Sequence, residues 1–281
     1  MSTATALRKS TEPGLKGRWW RFAIITVFTA IILVPIAAVV VLSLRPPAAA
    51  GLGGGPTLDS FIYILTFTDA LGWMRNSLLV VTLSTIAAVA VAAPAGYVLS
   101  RGRSRAVSAY SLTLFVVQSF PTVVFVIPLF VLFAHLGLAD TLLGVGIAYV
   151  ATTISVCTWM MAAYFDSIPT SLEEAAWVDG TSVFGGFLRV VLRNSLPGIL
   201  STAIFAFLLS WNDYLIATVF LRSALNYTLP VGVQTFFQQN STDWGSVMAV
   251  AVLMMVPPIL IFAVLNRYFS VGGIGGALTG R

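Results

Sequence analysis

The chain is 281 residues long, with 58% hydrophobic and 9% charged side chains. Soluble domains carry about 25% charged residues, so this balance argues against an oversized water-soluble core and for a bilayer as the solvent. The formal charge of +5 does not point to nucleic acid, because the cations fall in gaps between apolar runs, and one cysteine, Cys157, excludes an intramolecular disulfide framework or a cysteine-cluster metal site.

Six stretches without Asp, Glu, Lys or Arg run over residues 22–44, 76–100, 106–134, 141–165, 194–212 and 244–266. Each reaches the roughly 17–25 residues that cross a hydrocarbon core, which predicts an all-α polytopic membrane protein with six transmembrane helices. The first stretch follows Arg8, Lys9, Lys16, Arg18 and Arg21. Its apolar core exceeds the roughly 7–15 residues of a cleaved secretory signal, so it reads as a signal anchor with Trp19 and Trp20 at the interface. The fifth stretch is expected to continue through Asp213 to Leu221, making Asp213 the acidic residue set well inside a span. Pro35, Pro94, Gly96, Pro121, Pro128, Pro257 and Pro258 fall within spans and read as packing kinks, tolerated where neighbouring helices satisfy the released carbonyls.

If the six spans alternate, the N-terminal cations share one side with Arg101, Arg103, Arg105, Arg189, Arg193, Arg267 and Arg281, leaving Arg45, Arg75 and Arg222 on the other. The positive-inside bias then puts both termini in the cytoplasm. The expected division is a cytoplasmic segment 1–21, a membrane domain 22–268 and a glycine-rich cytoplasmic tail 269–281.

The longest internal loop, 166–193, carries the informative pattern. Ser171 and Glu174 have capping-box spacing, so a short helix is predicted to start there. Gly180 suits the left-handed position that ends it, and Thr181 or Ser182 can cap a second helix leading through Arg189 and Arg193 to Ser195 and Pro197. Leu172, Ala175, Ala176 and Trp177 give this helix–turn–helix a small apolar surface suited to a groove on another protein.

Glu174, Ala175 and Ala176, then Gly180 after three residues, then Val190 and Leu192, resemble the EAA loop of ABC importer permeases, with Arg193 where that family has a proline. The resemblance implies a type I ABC importer permease fold in which 169–194 holds a coupling helix seated in an ATPase subunit, with Glu173, Glu174, Ala175, Ala176, Trp177, Asp179 and Gly180 as coupling residues. It narrows toward the carbohydrate branch. Trp211, Asn212, Asp213 and Tyr214 are similar to that branch's W-N-[DE] signature, and Thr228 to Gly232 to its T-L-P-V-G segment. Gly272 to Gly280 resemble the tail that the second, shorter permease of maltose-type systems inserts between its ATPase subunits, with Gly275, Gly276 and Thr279 as contacts. The implied partners are a second homologous permease, an ATPase dimer, an extracytoplasmic substrate-binding protein or lipoprotein, and membrane lipid, in the cytoplasmic (inner) membrane of a prokaryote.

No catalytic chemistry is expected on the chain. Lys9 and Lys16, the two lysines, lack the glycine-rich context of a phosphate-binding loop. His135, the one histidine, falls at a predicted external turn without a nucleophile pattern. No cofactor is therefore expected here, with ATP and Mg held by the partner ATPases. A polyol cargo asks for hydrogen-bonding groups and flat aromatic faces, which makes Gln118, Trp159, Trp211, Asn212, Asp213 and Tyr214 the pathway candidates, with Ser119 and Ser210 beside them. Two other readings fit the same features: an importer for a non-sugar solute such as glycerol phosphate, polyamine or an anion, and a non-transporting membrane scaffold.

Overall fold

In hydrocarbon each backbone N–H and C=O must find its partner within the segment, so the apolar runs become helices. The computed structural model describes residues 15–45, 55–237 and 242–273, with side chains from 19–45, 55–237 and 242–265. Helix α1 spans Leu15–Ser43, α2 Asp59–Thr66, α3 Ala70–Arg101, α4 Arg105–Ser119, α5 Thr122–His135 and α6 Leu142–Asp166. The loop helices are α7 (Ser171–Val178), α8 (Val183–Gly186) and, after one π turn at Phe187–Val191, α9 (Leu192–Asn194). Then come α10 (Leu196–Trp211), α11 (Leu215–Phe220), α12 (Leu229–Gly232) and α13 (Trp244–Gly273).

Four of these, α1, α3, α6 and α13, are each long and apolar enough to cross a membrane, and the count reaches 6 if each of two bent pairs is one span. The bends correct two expectations. The predicted third span, 106–134, is not one helix but α4 and α5 meeting at 96°. The break falls at Phe120 and Pro121: proline lacks an N–H and pushes the residue before it out of the helical region, and Phe120 is extended at φ −81 and ψ 138. The predicted fifth helix does not run through Asp213. It ends at Trp211, and α11 starts again at Leu215. At its other end, α10 is bent by 75° from Val183–Asn194.

The centre of the molecule is the α3–α6 pair. Ala88, Ala92 and Ala93 of α3 pack with Cys157, Met161 and Phe165 of α6 and with Phe187, Val191 and Ala206. A second cluster joins Val80 and Val81 to Val145, Ala148 and Tyr149, with Phe133, Phe207, Trp211 and Phe220 around them. Helix α1 packs chiefly on α13 and leaves its apolar side chains exposed, as a helix facing lipid or a partner subunit does.

Gly96 lies at a close approach of this pair. A Cβ there would lie 2.8 Å from the Met161 Cβ and 2.9 Å from both the Ala162 nitrogen and the Thr158 carbonyl oxygen. Two of these atoms are backbone, so the helices themselves would have to separate. Gly96→Ala is expected to cost about 1–3 kcal/mol as an overpacking change, and Gly96→Leu to abolish a monodisperse extracted product. Thermal melting and size-exclusion profiles in detergent check this; a wild-type melt for both variants would overturn the packing assignment.

Candidate functional site

Helix α7 begins without the expected capping box. Thr170 is the cap residue in a helical conformation, with no side-chain hydrogen bond. The N–H of Leu172 donates to the Pro169 carbonyl at 3.3 Å, and those of Glu173 and Glu174 to the Thr170 carbonyl at 2.9 and 3.0 Å. The turn through Pro169 and Thr170 thus already supplies the acceptors that a Ser171 hydroxyl would have offered. The other end forms as expected. Gly180 adopts φ +84, its N–H donates to the Trp177 carbonyl at 3.0 Å, and the Thr181 N–H reaches back to Ala176 at 3.0 Å. This is the paired bonding of a Schellman stop. The Ser182 hydroxyl then accepts the Gly185 N–H at 3.1 Å and caps α8, and Gly186 lets the Trp177 indole lie against α8, since a Cβ would sit 2.9 Å from its nitrogen.

One carboxylate of the pair points inward. Glu173 is 1% exposed, and both of its oxygens are held by α3. Oε2 accepts the Tyr97 hydroxyl at 2.6 Å, and Oε1 accepts Arg101 Nε at 2.8 Å and pairs with Nη2 at 2.7 Å. Arg101 Nη2 also donates to the Ile168 carbonyl at 3.0 Å, and the Ser100 hydroxyl donates to Asp166 at 2.5 Å. Of the expected coupling residues, Glu173 is buried against α3 and faces away from solvent. Leu172, Glu174, Ala175, Val178 and Asp179 are exposed, with Trp177 at 41%. Tyr97 and Arg101, missed from sequence, stand four residues apart and so share one helix face. That spacing at a span's basic end was the available signal.

The pathway candidates separate into groups. Trp211 is 1% exposed and stacked on Phe207 at 5.5 Å. Its indole N–H donates to the Met254 carbonyl at 3.1 Å. That carbonyl is free because Pro258, one turn on in α13, has no N–H to offer it. Trp211 thus ties α10 to α13. The break after it holds Asn212, Asp213 and Tyr214. The exposed Asn212 amide donates to Leu208 at 2.8 Å, Asp213 Oδ1 accepts the Ile216 and Ala217 N–H groups at 3.1 and 3.2 Å to cap α11, and Tyr214 is 44% exposed. Gln118 and Trp159 come together across α4 and α6, lining a cleft of about 270 Å³ with Leu114, Phe115 and Ser155. There the Trp159 ring stacks on Phe115 at 6.1 Å. Gly275, Gly276 and Thr279 lie outside the described residues.

The predicted external segment around Thr228–Gly232 folds onto the start of α3. Trp73 Nε1 donates to the Ala224 carbonyl at 2.9 Å, Asn76 Nδ2 to those of Leu225 and Tyr227 at 2.8 and 3.0 Å, and the Leu229 N–H to the Ser77 hydroxyl at 2.7 Å. Asp140, at φ 55 in the α5–α6 turn, accepts the Arg222 and Ser223 N–H groups at 2.8 and 3.0 Å and the Ser223 hydroxyl. Partial burial pushes its carboxyl up, but these hydrogen bonds outweigh that and hold it down at about 2, from an ordinary 3.8. A depressed carboxyl contributes stability that is complete above the unfolded value and fades as pH falls from 3.8 toward about 2. Asp140→Asn tolerates the left-handed backbone but loses the charge. The melting gap between it and wild type should be constant near neutrality and close on acidification below 3.8; a gap that stays open in strong acid would contradict this.

Comparison with known proteins matches residues 92–271 to the family described as binding-protein-dependent transport system inner membrane component. The chain is 33% identical over 217 residues to the inner membrane ABC transporter permease protein YcjP of Escherichia coli (strain K12), covering 77% of this chain and 76% of that protein. It is 30% identical over 289 residues to the maltose/maltodextrin transport system permease protein MalG of Vibrio parahaemolyticus, covering 95% and 97%. A chain from the crystal structure of a bacterial ABC transporter involved in import of the acidic polysaccharide alginate superposes with a TM-score of 0.76 at 20% identity, over 92% of this chain and 100% of that one. With a type I ABC importer permease fold and a braced helix–turn–helix between α6 and α10, the chain belongs to the inner membrane permease components of binding-protein-dependent transport systems.

Proposed function

We propose that this chain forms half of the translocation pathway of an importer for a sugar or oligosaccharide, and that α7 docks in an ATPase carried on another polypeptide. The observation that carries this reading is the division of α7 into two faces. Its outward face offers exposed Leu172, Ala175 and Val178 between Glu174 and Asp179, while Glu173 is pinned behind it to Arg101. A short helix with an apolar surface and a rigid back can be seated in a cleft and pushed without folding away. Sugar as cargo draws on the relative named for maltose and maltodextrin and on the half-exposed Trp159 and Tyr214 beside exposed Gln118 and Asn212, groups that suit a polyol.

In this reading the second half of the pathway comes from a homologous permease, and ATP and Mg are bound by a pair of ATPase subunits. An extracytoplasmic binding protein or lipoprotein delivers the sugar. Both termini are cytoplasmic, and Gly275, Gly276 and Thr279 reach the ATPases. Affinity-tagged chain extracted gently from its native membrane is expected to bring down an ATPase and a second permease. A deletion strain should lose uptake of labelled oligosaccharide. Chain that inserts normally yet captures no ATPase, with or without nucleotide, would overturn the proposal.

A further inference from the structure

Helix α3 is fastened at both ends to segments remote in sequence. At one end the Trp73 indole, the Asn76 amide and the Ser77 hydroxyl bond the backbone of Ala224, Leu225, Tyr227 and Leu229. At the other, Tyr97 and Arg101 occupy both oxygens of the buried Glu173 on α7. Their outermost residues, Trp73 and Arg101, are about 42 Å apart at about 1.5 Å per residue, close to the full depth of a bilayer. Between them α3 continues as one helix through Pro94 and packs on α6 from Val80 and Val81 to Ala92 and Ala93, with Gly96 in backbone contact, so α6 supports the rod on one side.

The covalent connections of α7 are looser. Its route to α10 passes a π turn at Phe187–Val191 and a 75° bend, and its route from α6 is the turn at 167–170. A displacement of α7 therefore reaches α3 through charge-assisted bonds to a rigid helix more directly than it reaches α10 through a jointed chain. At the far end the receiving loop is open to a partner, with Leu225 77% exposed beside the carbonyl that Asn76 holds.

We propose that α3 is a transmission rod between α7 and the 224–229 loop, so that a sugar-loaded binding protein docking on that loop and nucleotide acting through α7 bias one conformational equilibrium. The proposal rests on the reading above, that α7 meets the ATPase and that the 224–229 loop faces outward. Coupling of this kind is reciprocal, and cutting the rod at either end removes it.

The experiment uses the assembled transporter in lipid nanodiscs and compares ATP hydrolysis with and without the sugar-loaded binding protein. Asn76→Ala at one end and Glu173→Gln at the other are each expected to lower the stimulation ratio by about fivefold or more. The double variant should be no worse than the weaker single, because one cut already disconnects the rod. Ser77→Ala gives a milder cut at the outer end, with a smaller drop in the same direction. Arg101→Lys, which keeps a donor and a charge, should retain part of the stimulation that Arg101→Ala loses. Assembled variants that keep the wild-type ratio, or a double variant whose loss is the product of the two singles, would overturn the rod. Failure of the wild-type chain to capture an ATPase would instead overturn the functional reading beneath it.

Discussion

Replacing Gly180 by proline is expected to release the ATPase and abolish uptake while leaving membrane insertion intact. Gly180 sits at φ +84, and a proline ring fixes φ near about −65°. The same change removes the N–H that bonds the Trp177 carbonyl at 3.0 Å and misdirects the Thr181 N–H from Ala176, so α7 loses its stop and α8 its entry angle. Crowding is not a confounder, because nothing lies within 4 Å of a Cβ built at this position. A graded series follows. Gly180→Asn should be nearly neutral, since asparagine visits the left-handed region. Gly180→Ala should cost about 1–2 kcal/mol, the penalty for an L-residue there. Co-elution of the ATPase and uptake of labelled sugar are the readouts. Glu174→Lys, on the exposed face of the same helix, should weaken ATPase capture without disturbing the fold. A proline variant that still captures the ATPase and transports would remove α7 from the coupling.

Much of the architecture was legible because lipid imposes a simple rule on composition. The four unbroken apolar helices and the Gly180 stop follow from apolar runs and local backbone preference. The 96° break between α4 and α5 was not legible in the same way. Residues 106–134 form one apolar run, and an intramembrane proline is as often a mild kink as a break, so Pro121 could not declare which it was. What decides is tertiary: whether neighbours receive the two halves at an angle. The same limit separated Glu173 from Glu174. Adjacent carboxylates on a short helix look alike in sequence, and only the place where α3 ends makes one an internal anchor and leaves the other on the surface. Trp211 and Asp213 were assigned to the pathway because polar and aromatic groups at membrane depth need a reason. Trp211 bonds a carbonyl of α13 freed by Pro258, and Asp213 caps the start of α11. Gln118 and Trp159 come together across α4 and α6, a proximity that is a product of the fold and that no local pattern announces.

Removing Arg101 alone is expected to lower stability by about 3–5 kcal/mol, because it leaves the buried Glu173 as an uncompensated charge, and removing Glu173 should cost less, because Arg101 keeps the Ile168 carbonyl and some contact with water. Glu173 is 1% exposed at its side chain and Arg101 19%, so this pair does not belong with solvent-exposed bridges, whose typical worth is about 0–1 kcal/mol. The decisive comparison is the double replacement Arg101→Met with Glu173→Leu. If burial governs, the double should melt above either single, since two desolvated charges have been exchanged for apolar volume. It should still fall short of wild type, because the Tyr97 hydroxyl has lost its acceptor; adding Tyr97→Phe should recover part of that deficit, as an unsatisfied donor costs about 1–3 kcal/mol. Melting temperatures in matched nanodiscs measure the series. Singles that melt within a degree or so of wild type would show α7 to be held by packing, and would leave the polar link to α3 with nothing to transmit.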